Sequence, residues 1–463
     1  MSELSKKSKN EEMLGSAPLG QLLLKFSIPA IIAQIVQAIY NIVDRIYIGQ
    51  GVDEVALAGL TITFPLMMIL TSFGTLIGVG TSAMISIKLG EGKKDEAEKL
   101  LGQMILVKVI FFILIPLICY FLLDQIFYAL GATEKSIPYA KEYMEIILLG
   151  NIFAHLGFGM SGVVRAEGNV FRSMVAMLIG AGANIILDPI FIFGFDMGIK
   201  GAAWATNISM FLAMVYCFWH FSSKDSVLKF RFKYLRIYPK NLPKVFSIGL
   251  SPFSMQVLGS LVQSFFISAF SMYSVKGEAD MMVALFGIIN SILFMAIIPV
   301  FGLSMGLQPI VGYNFGAKFY GRMASAYKRA IAVAEVLCLF GMACCMIFAP
   351  YLIAAFTKEA ILIEKGPTYL RLACSGFLFI GVPVMTTTYF QSIGKAWMAI
   401  LFSLMRQGLM LIPMIYVLPM FFGIKGVWCC GPLSDCLAGI VAIVVAIFEF
   451  KKIRRKIEAQ AEG

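Results

Sequence analysis

The sequence predicts an all-α polytopic membrane protein, with twelve transmembrane helices in two pseudo-symmetric six-helix lobes. Three observations carry that expectation. Hydrophobic residues fill 59% of 463 positions and charged residues only 14%, with a mean hydropathy of +0.84, outside the range of soluble domains. Apolar runs of roughly 20 residues, enough to cross a hydrocarbon layer of about 30 Å, recur about twelve times. The second half of the chain also repeats the first.

The runs lie near 22–48, 56–87, 100–124, 138–162, 170–194, 200–220, 244–272, 282–312, 326–350, 366–392, 396–420 and 425–449. The stretch before them, MSELSKKSKNEEMLGSAPLG, is polar and lacks a cleavable signal pattern, so the first span is expected to stay in the mature chain. All nine cysteines fall in expected spans, without a CxxC pair and with two histidines in the chain. Neither a zinc site nor a disulfide framework is expected.

A net charge of +11 raises the question of nucleic acid, but its distribution answers it. With the N-terminus inside, inner segments such as KLGEGKKDEAEK, SSKDSVLKFRFKYLRIYPKNLPK and KKIRR carry about 26 Lys and Arg, against about 7 outside. Both termini are therefore expected in the cytoplasm, the basic loops against anionic headgroups, and no nucleic-acid partner.

Phe26-Ser-Ile28 recurs as Phe246-Ser-Ile248, Ala56-Leu-Ala-Gly59 as Ala284-Leu-Phe-Gly287, and Phe73-Gly74 as Phe301-Gly302. Leu89-Gly90 matches Phe315-Gly316, Gly168 matches Gly394, and Gly198-Ile-Lys-Gly201 returns as Gly423-Ile-Lys-Gly426. The expected organisation is a tail 1–20, an N-lobe 21–220, a basic linker 221–243, a C-lobe 244–449 and a basic tail 450–463. Six spans per half make the halves parallel, as in many secondary transporters with midplane sites.

Acids inside spans cost about 2.5–3.5 kcal/mol and commonly face a cavity. In the first span Gln34, Gln37, Asn41 and Asp44 share one helical face, flanked by Tyr40, while the adjacent Arg45 points off it. In the fifth span Asn184 and Asp188 lie one turn apart, and the sixth adds Thr206. Such a stripe serves either interhelical hydrogen bonding or a transport site. Two carboxylates in one poorly hydrated cavity would retain a proton or small cation.

The stretches FSIPAIIAQIVQAIYNIVDRIYIG, GTSAMISIKLGEGKKDEA, RAEGNVFRSM, ANIILDPIFIFGFDMGIKGAAWAT and QPIVGYNFGAK together resemble the multidrug and toxic compound extrusion (MATE) transporters, most closely the MepA-like bacterial branch. The resemblance implies a cation-coupling site at Asp44, Asn184, Asp188 and Thr206. The face bearing Gln34, Gln37, Tyr40 and Asn41 is expected to line the substrate cavity, and the resemblance implies a first-span bend at Pro29. The implied activity is efflux of lipophilic, mostly cationic compounds from the bacterial plasma membrane by antiport with H⁺ or Na⁺, without a cofactor and as a monomer.

A flippase for lipid-linked sugars is the alternative, but it would want a cationic cavity. An intramembrane enzyme is not expected, since HExxH and GxGD are both missing from the sequence. Carrying the repeat across puts Ser264, Met410 and Met414 where Asp44, Asn184 and Asp188 stand, so coupling is expected in the first lobe alone. Arg406 and Asp435 remain, either as a structural pair or as substrate contacts.

The other interior polar groups carry plainer expectations. Arg165 and Glu167 form an interfacial ion pair; His155 is a satisfied interior histidine or a proton relay; Lys108 and Arg371 snorkel to nearby helix ends. Glycines 74, 78, 80, 302 and 306 permit close helix approach, and 28 Met with 39 Phe suit a cavity accepting dissimilar cations.

Overall fold

The computed structural model describes residues 9–51, 54–130, 132, 134, 136–275 and 278–461; the side chain of Arg45 lies outside those described. A short α1 (Lys9–Ser16) precedes the first-half spans α2 (Leu19–Gly51), α3 (Glu54–Gly90) and α4 (Lys94–Phe121), then a short α5 (Leu123–Ala129). Next come α6 (Ile137–Ala166), α7 (Val170–Pro189) and α8 (Gly198–Ser222). The second half has α9 (Leu242–Tyr273), α10 (Ala279–Gly316) and α11 (Tyr320–Ile347), then the short α12 (Ala349–Phe356). It continues through α13 (Ala360–Cys374), α14 (Gly381–Ser392) and α15 (Ala396–Leu404) to α16 (Ile412–Ala461).

Among the described residues ten helical runs are long and apolar enough to cross a membrane, and α13 with α14, bent by 45°, adds one more, the tenth in chain order. The run Ala396–Gln460 holds 65 residues, about 97 Å at 1.5 Å per residue, far beyond one crossing. It breaks at Gly423, whose φ of 55° and ψ of −138° are not helical, and so supplies two spans and the expected twelve.

The sequence repeat is also a backbone repeat. Gly198 and its match Gly423 have φ of 54° and 55°, and Gly168 and its match Gly394 have 96° and 72°; side chains rarely adopt this left-handed region. Helices α4 and α11 are both 28 residues long. A π-helical stretch follows Pro189 at Ile190–Gly194, and another occupies Met405–Leu411 in the eleventh span.

Two compact units divide the chain: 1–17, 32–253 and 312–318 in the first, 18–31, 254–311 and 319–463 in the second. The division crosses α2 between Ile31 and Ile32, α9 between Phe253 and Ser254, and α10 between Val311 and Gly312. Each crossing follows a proline within two residues: Pro29, Pro252 and Pro309.

Apolar packing holds each unit. In the first, Ile48, Leu66, Leu70, Phe127, Tyr143 and Met144 form a buried cluster. Backbones of α3 and α9 touch there: a methyl on Gly80 would collide with the Val245 carbonyl, and one on Gly249 with that of Leu76. In the second, Trp428 packs against Phe270 and Tyr369, each with ring centroids 4.9 Å away. Gly302 and Gly306 lie against Ile31 and Ser27 of α2 there.

Candidate functional site

Three helices of the first unit bring the predicted acids together. Asn184 and Asp188 point from the same face of α7, both fully buried, and Asn184 Nδ2 donates to Asp188 Oδ1 at 3.1 Å. The same amide reaches Thr206 Oγ1 of α8 at 3.3 Å. Tyr40 of α2, also buried, is hydrogen-bonded to Thr206. Asp44, one turn further along α2, is half-buried and brings its carboxyl within hydrogen-bonding reach of Asp188.

That last contact decides the chemistry. No donor among the described protein groups reaches Asp188 Oδ2 or Asn184 Oδ1, although both atoms are buried. A carboxylate has only acceptor oxygens, so two carboxyls meet favourably only with a proton on one of them or a cation between them. Two full charges about 4 Å apart would repel by about 4 kcal/mol at an effective dielectric of roughly 20.

Local backbone irregularity supports the placement. Asp188 precedes Pro189, which lacks the N–H that would continue the α7 ladder, and the chain enters the π-helical stretch at Ile190. Such π turns often accompany functional sites.

Gln34, Gln37 and Asn41 do not join this hydrogen-bonded group; the two glutamines are half-buried and Asn41 is exposed. Pro29 lies inside α2, which stays helical through it. Sequence reasoning missed Tyr143, a buried residue of α6 close enough to Asp44 and Asp188 for their charges to act on it. A lone tyrosine in an apolar run gives no signal until α6 is known to pack beside α8 and α3.

Several secondary expectations change. Lys108 does not snorkel: it is fully buried, donates to the His155 main-chain oxygen at 2.6 Å, and stands 5.9 Å from the Phe158 ring centroid. It is central in α4, about 20 Å from either end, beyond a lysine's reach. His155 is an interior histidine whose ring stacks on Phe112, centroids 3.9 Å apart. Arg371 is exposed as expected, its Nε on the Met346 carbonyl at 3.0 Å.

Arg165 and Glu167 are not paired. Arg165 donates to Ser173 Oγ at 3.2 Å, whereas the fully buried Glu167 meets His220 Nε2. Glu167 also accepts from Asn169 Nδ2 at 2.9 Å, the Leu228 N–H at 3.0 Å and Ser226 Oγ at 3.1 Å. Helix geometry explains the exchange: positions two apart point away from each other, and the end of α8 brings His220 to the carboxylate instead.

In the second unit Arg406 Nε meets Asp435 Oδ1 at 2.5 Å, and Ser434 Oγ bonds the Arg406 carbonyl at 2.8 Å. The pair ties the π-helical stretch to α16. Asp435→Ala is expected to lower stability by about 1.5–3 kcal/mol, read as a lower thermal midpoint in detergent, while Arg406→Leu with Asp435→Leu recovers most of the loss. A double variant no better than Asp435→Ala would refute the structural pairing.

The MatE family model matches residues 29–190 and 257–417, one segment in each half and together most of the chain. The chain belongs to the MatE family. It is similar to the multidrug export protein MepA of Staphylococcus aureus (strain NCTC 8325 / PS 47), 27% identical over 437 residues that cover 93% of this chain and 94% of that one. Crystal structures of MATE in the bent and the straight conformation each superpose with a TM-score of 0.90 at 25% identity. Both superpositions cover 97% of this chain, and 99% and 100% of those structures respectively. As a MatE member this chain is a multi-pass membrane transporter of the multidrug efflux class, not an enzyme.

Proposed function

We propose that the protein exports lipophilic, mostly cationic compounds by antiport with H⁺ or Na⁺, through alternating access of two lobes, 21–220 and 244–449. The meeting of the Asp44 and Asp188 carboxyls carries the reading. Asn184 and Thr206 orient Asp188, Tyr40 fixes Thr206, and the carboxyl pair offers one negative site that either a drug cation or the coupling ion neutralises. The two compete, so arrival of the ion from outside displaces the drug.

Gln34, Gln37 and Asn41, on α2 but outside the hydrogen-bonded group, are the proposed substrate contacts. Bending of α2 at Pro29 is proposed to reshape that face; the existence of bent and straight MATE structures supports it. Each positive charge entering with the potential gains roughly 2.3 kcal/mol per 100 mV. In this reading the protein is a monomer in the bacterial inner membrane with both termini cytoplasmic, supported by the lysine and arginine asymmetry. A lipid-linked sugar carries pyrophosphate, which an acidic site repels, so the flippase reading is the weaker.

The test is a vesicle experiment. Purified protein in liposomes preloaded with ethidium is exposed to an inward proton gradient, an inward sodium gradient, or neither. Release accelerated by one of the two gradients is expected; release indifferent to both overturns antiport.

A further inference from the structure

A second interior carboxylate stands in the other half, where no coupling acid is expected. Glu335 lies sixteen residues into the 28-residue α11, at mid-span and half-buried. Its Oε1 accepts the Val382 N–H at 2.8 Å, in the first turn of α14, just past the 45° bend that breaks the tenth span. Glu335 has no ion-pair partner among the described residues. The neighbouring interior acid, Asp435, has Arg406.

The repeat places Glu335 one position from the counterpart of Lys108, which lies fifteen residues into the equally long α4. Both side chains hold the main chain of the next membrane span in their half: Lys108 the His155 carbonyl of α6, Glu335 the Val382 amide of α14. The lysine is sealed by Gly78, Gly159 and Phe158. The glutamate is not sealed, and an unpaired mid-span acid normally marks an ion pathway.

We propose that Glu335 is a second proton-binding site of the transport cycle, whose occupancy is read by the break in the tenth span. Ionised, the carboxylate makes a charge-assisted bond to the free N-terminus of α14 and holds the bend. With a proton bound the acceptor weakens, and α14 is released to realign with α13. Gly381 leaves room for the contact, because a methyl there would press on Glu335 Oε1.

The groups facing this site are few. Cys338, one turn along α11, feels both Glu335 and Asp435; Asp435 on α16 is held by Arg406. The bend Ser375–Phe379 and the first turn of α14 carry no ionisable side chain. A proton arriving here therefore has Glu335 as its acceptor.

This inference rests on the antiport reading for its role, but its test uses no drug. Full-length protein in lipid nanodiscs is compared by infrared difference spectra between alkaline and acid pH. Wild type should gain a protonated-carboxyl band that Asp44→Asn retains and Glu335→Gln lacks; Glu335→Asp, kept as a second variant in case the glutamine form does not fold, should displace the band. Amide exchange over 381–392, corrected for intrinsic pH dependence, should be about tenfold faster at acid pH in wild type and flat in Glu335→Gln. A Glu335→Gln spectrum superimposing on wild type, or the same exchange profile in both, overturns the proposal. Loss of transport in Asp44→Asn bears on antiport alone.

Discussion

Asp44→Asn is expected to cut gradient-driven efflux of a fluorescent lipophilic cation by about a hundredfold. An interaction with a charged group is worth about 1.5–3 kcal/mol, and about 1.4 kcal/mol is a factor of ten in rate. The amide keeps the shape and the contact with Asp188, so what is removed is the charge for which drug and ion compete. Asp188→Asn should do the same, and the double variant should be scarcely worse than either, because groups that act as one site are not additive. Efflux is followed in vesicles under an imposed gradient, with thermal unfolding as the control for folding. Full transport in both single variants would sink the coupling role of the pair.

Glu167→Ala is the second large effect, and it is one of stability. Truncation leaves His220 Nε2, Asn169 Nδ2 and the Leu228 N–H without the acceptor they share in a fully buried pocket. Breaking a buried charge network of this kind costs about 3–5 kcal/mol. The end of α8, the segment 226–228 and the turn after α6 meet at this one side chain. A drop in the thermal midpoint and in the yield of monodisperse protein is expected, with Glu167→Gln in between because it keeps one acceptor oxygen. An unchanged midpoint for Glu167→Ala would show that water takes over the carboxylate's contacts.

Much of the fold was legible because a membrane imposes lengths. Residues 22–48 and 170–194 read as spans from apolar content alone, and the repeat that matched glycines 168 with 394 and 198 with 423 returns in the backbone as shared positive φ. The acids at 44 and 188 were legible because a charge in an apolar run is conspicuous, and helical spacing tied Asn184 to Asp188. What failed was depth and partnership. The apolar run 100–124 put Lys108 within about two turns of an end, but α4 starts at Lys94, with its first two turns carrying the charges of KDEAEK, so the lysine is central. Tyr143 and Glu335 owe their significance to neighbours distant in sequence, and the repeat drew attention to Ser264 and Met414 while hiding the acid in the ninth span.

The prolines at 29, 252 and 309 acquire a mechanical meaning from where they stand. In an α-helix each turn resists bending through its ladder of N–H donors, and a proline has already surrendered one of them. A helix flexed at such a point therefore breaks no bond that it had made. Helices α2, α9 and α10 each pass from one compact unit to the other within two residues of such a point. At these three positions, and again at Pro299 within α10, the helix can flex without giving up a main-chain hydrogen bond. Stiffness is distributed along this chain as deliberately as charge.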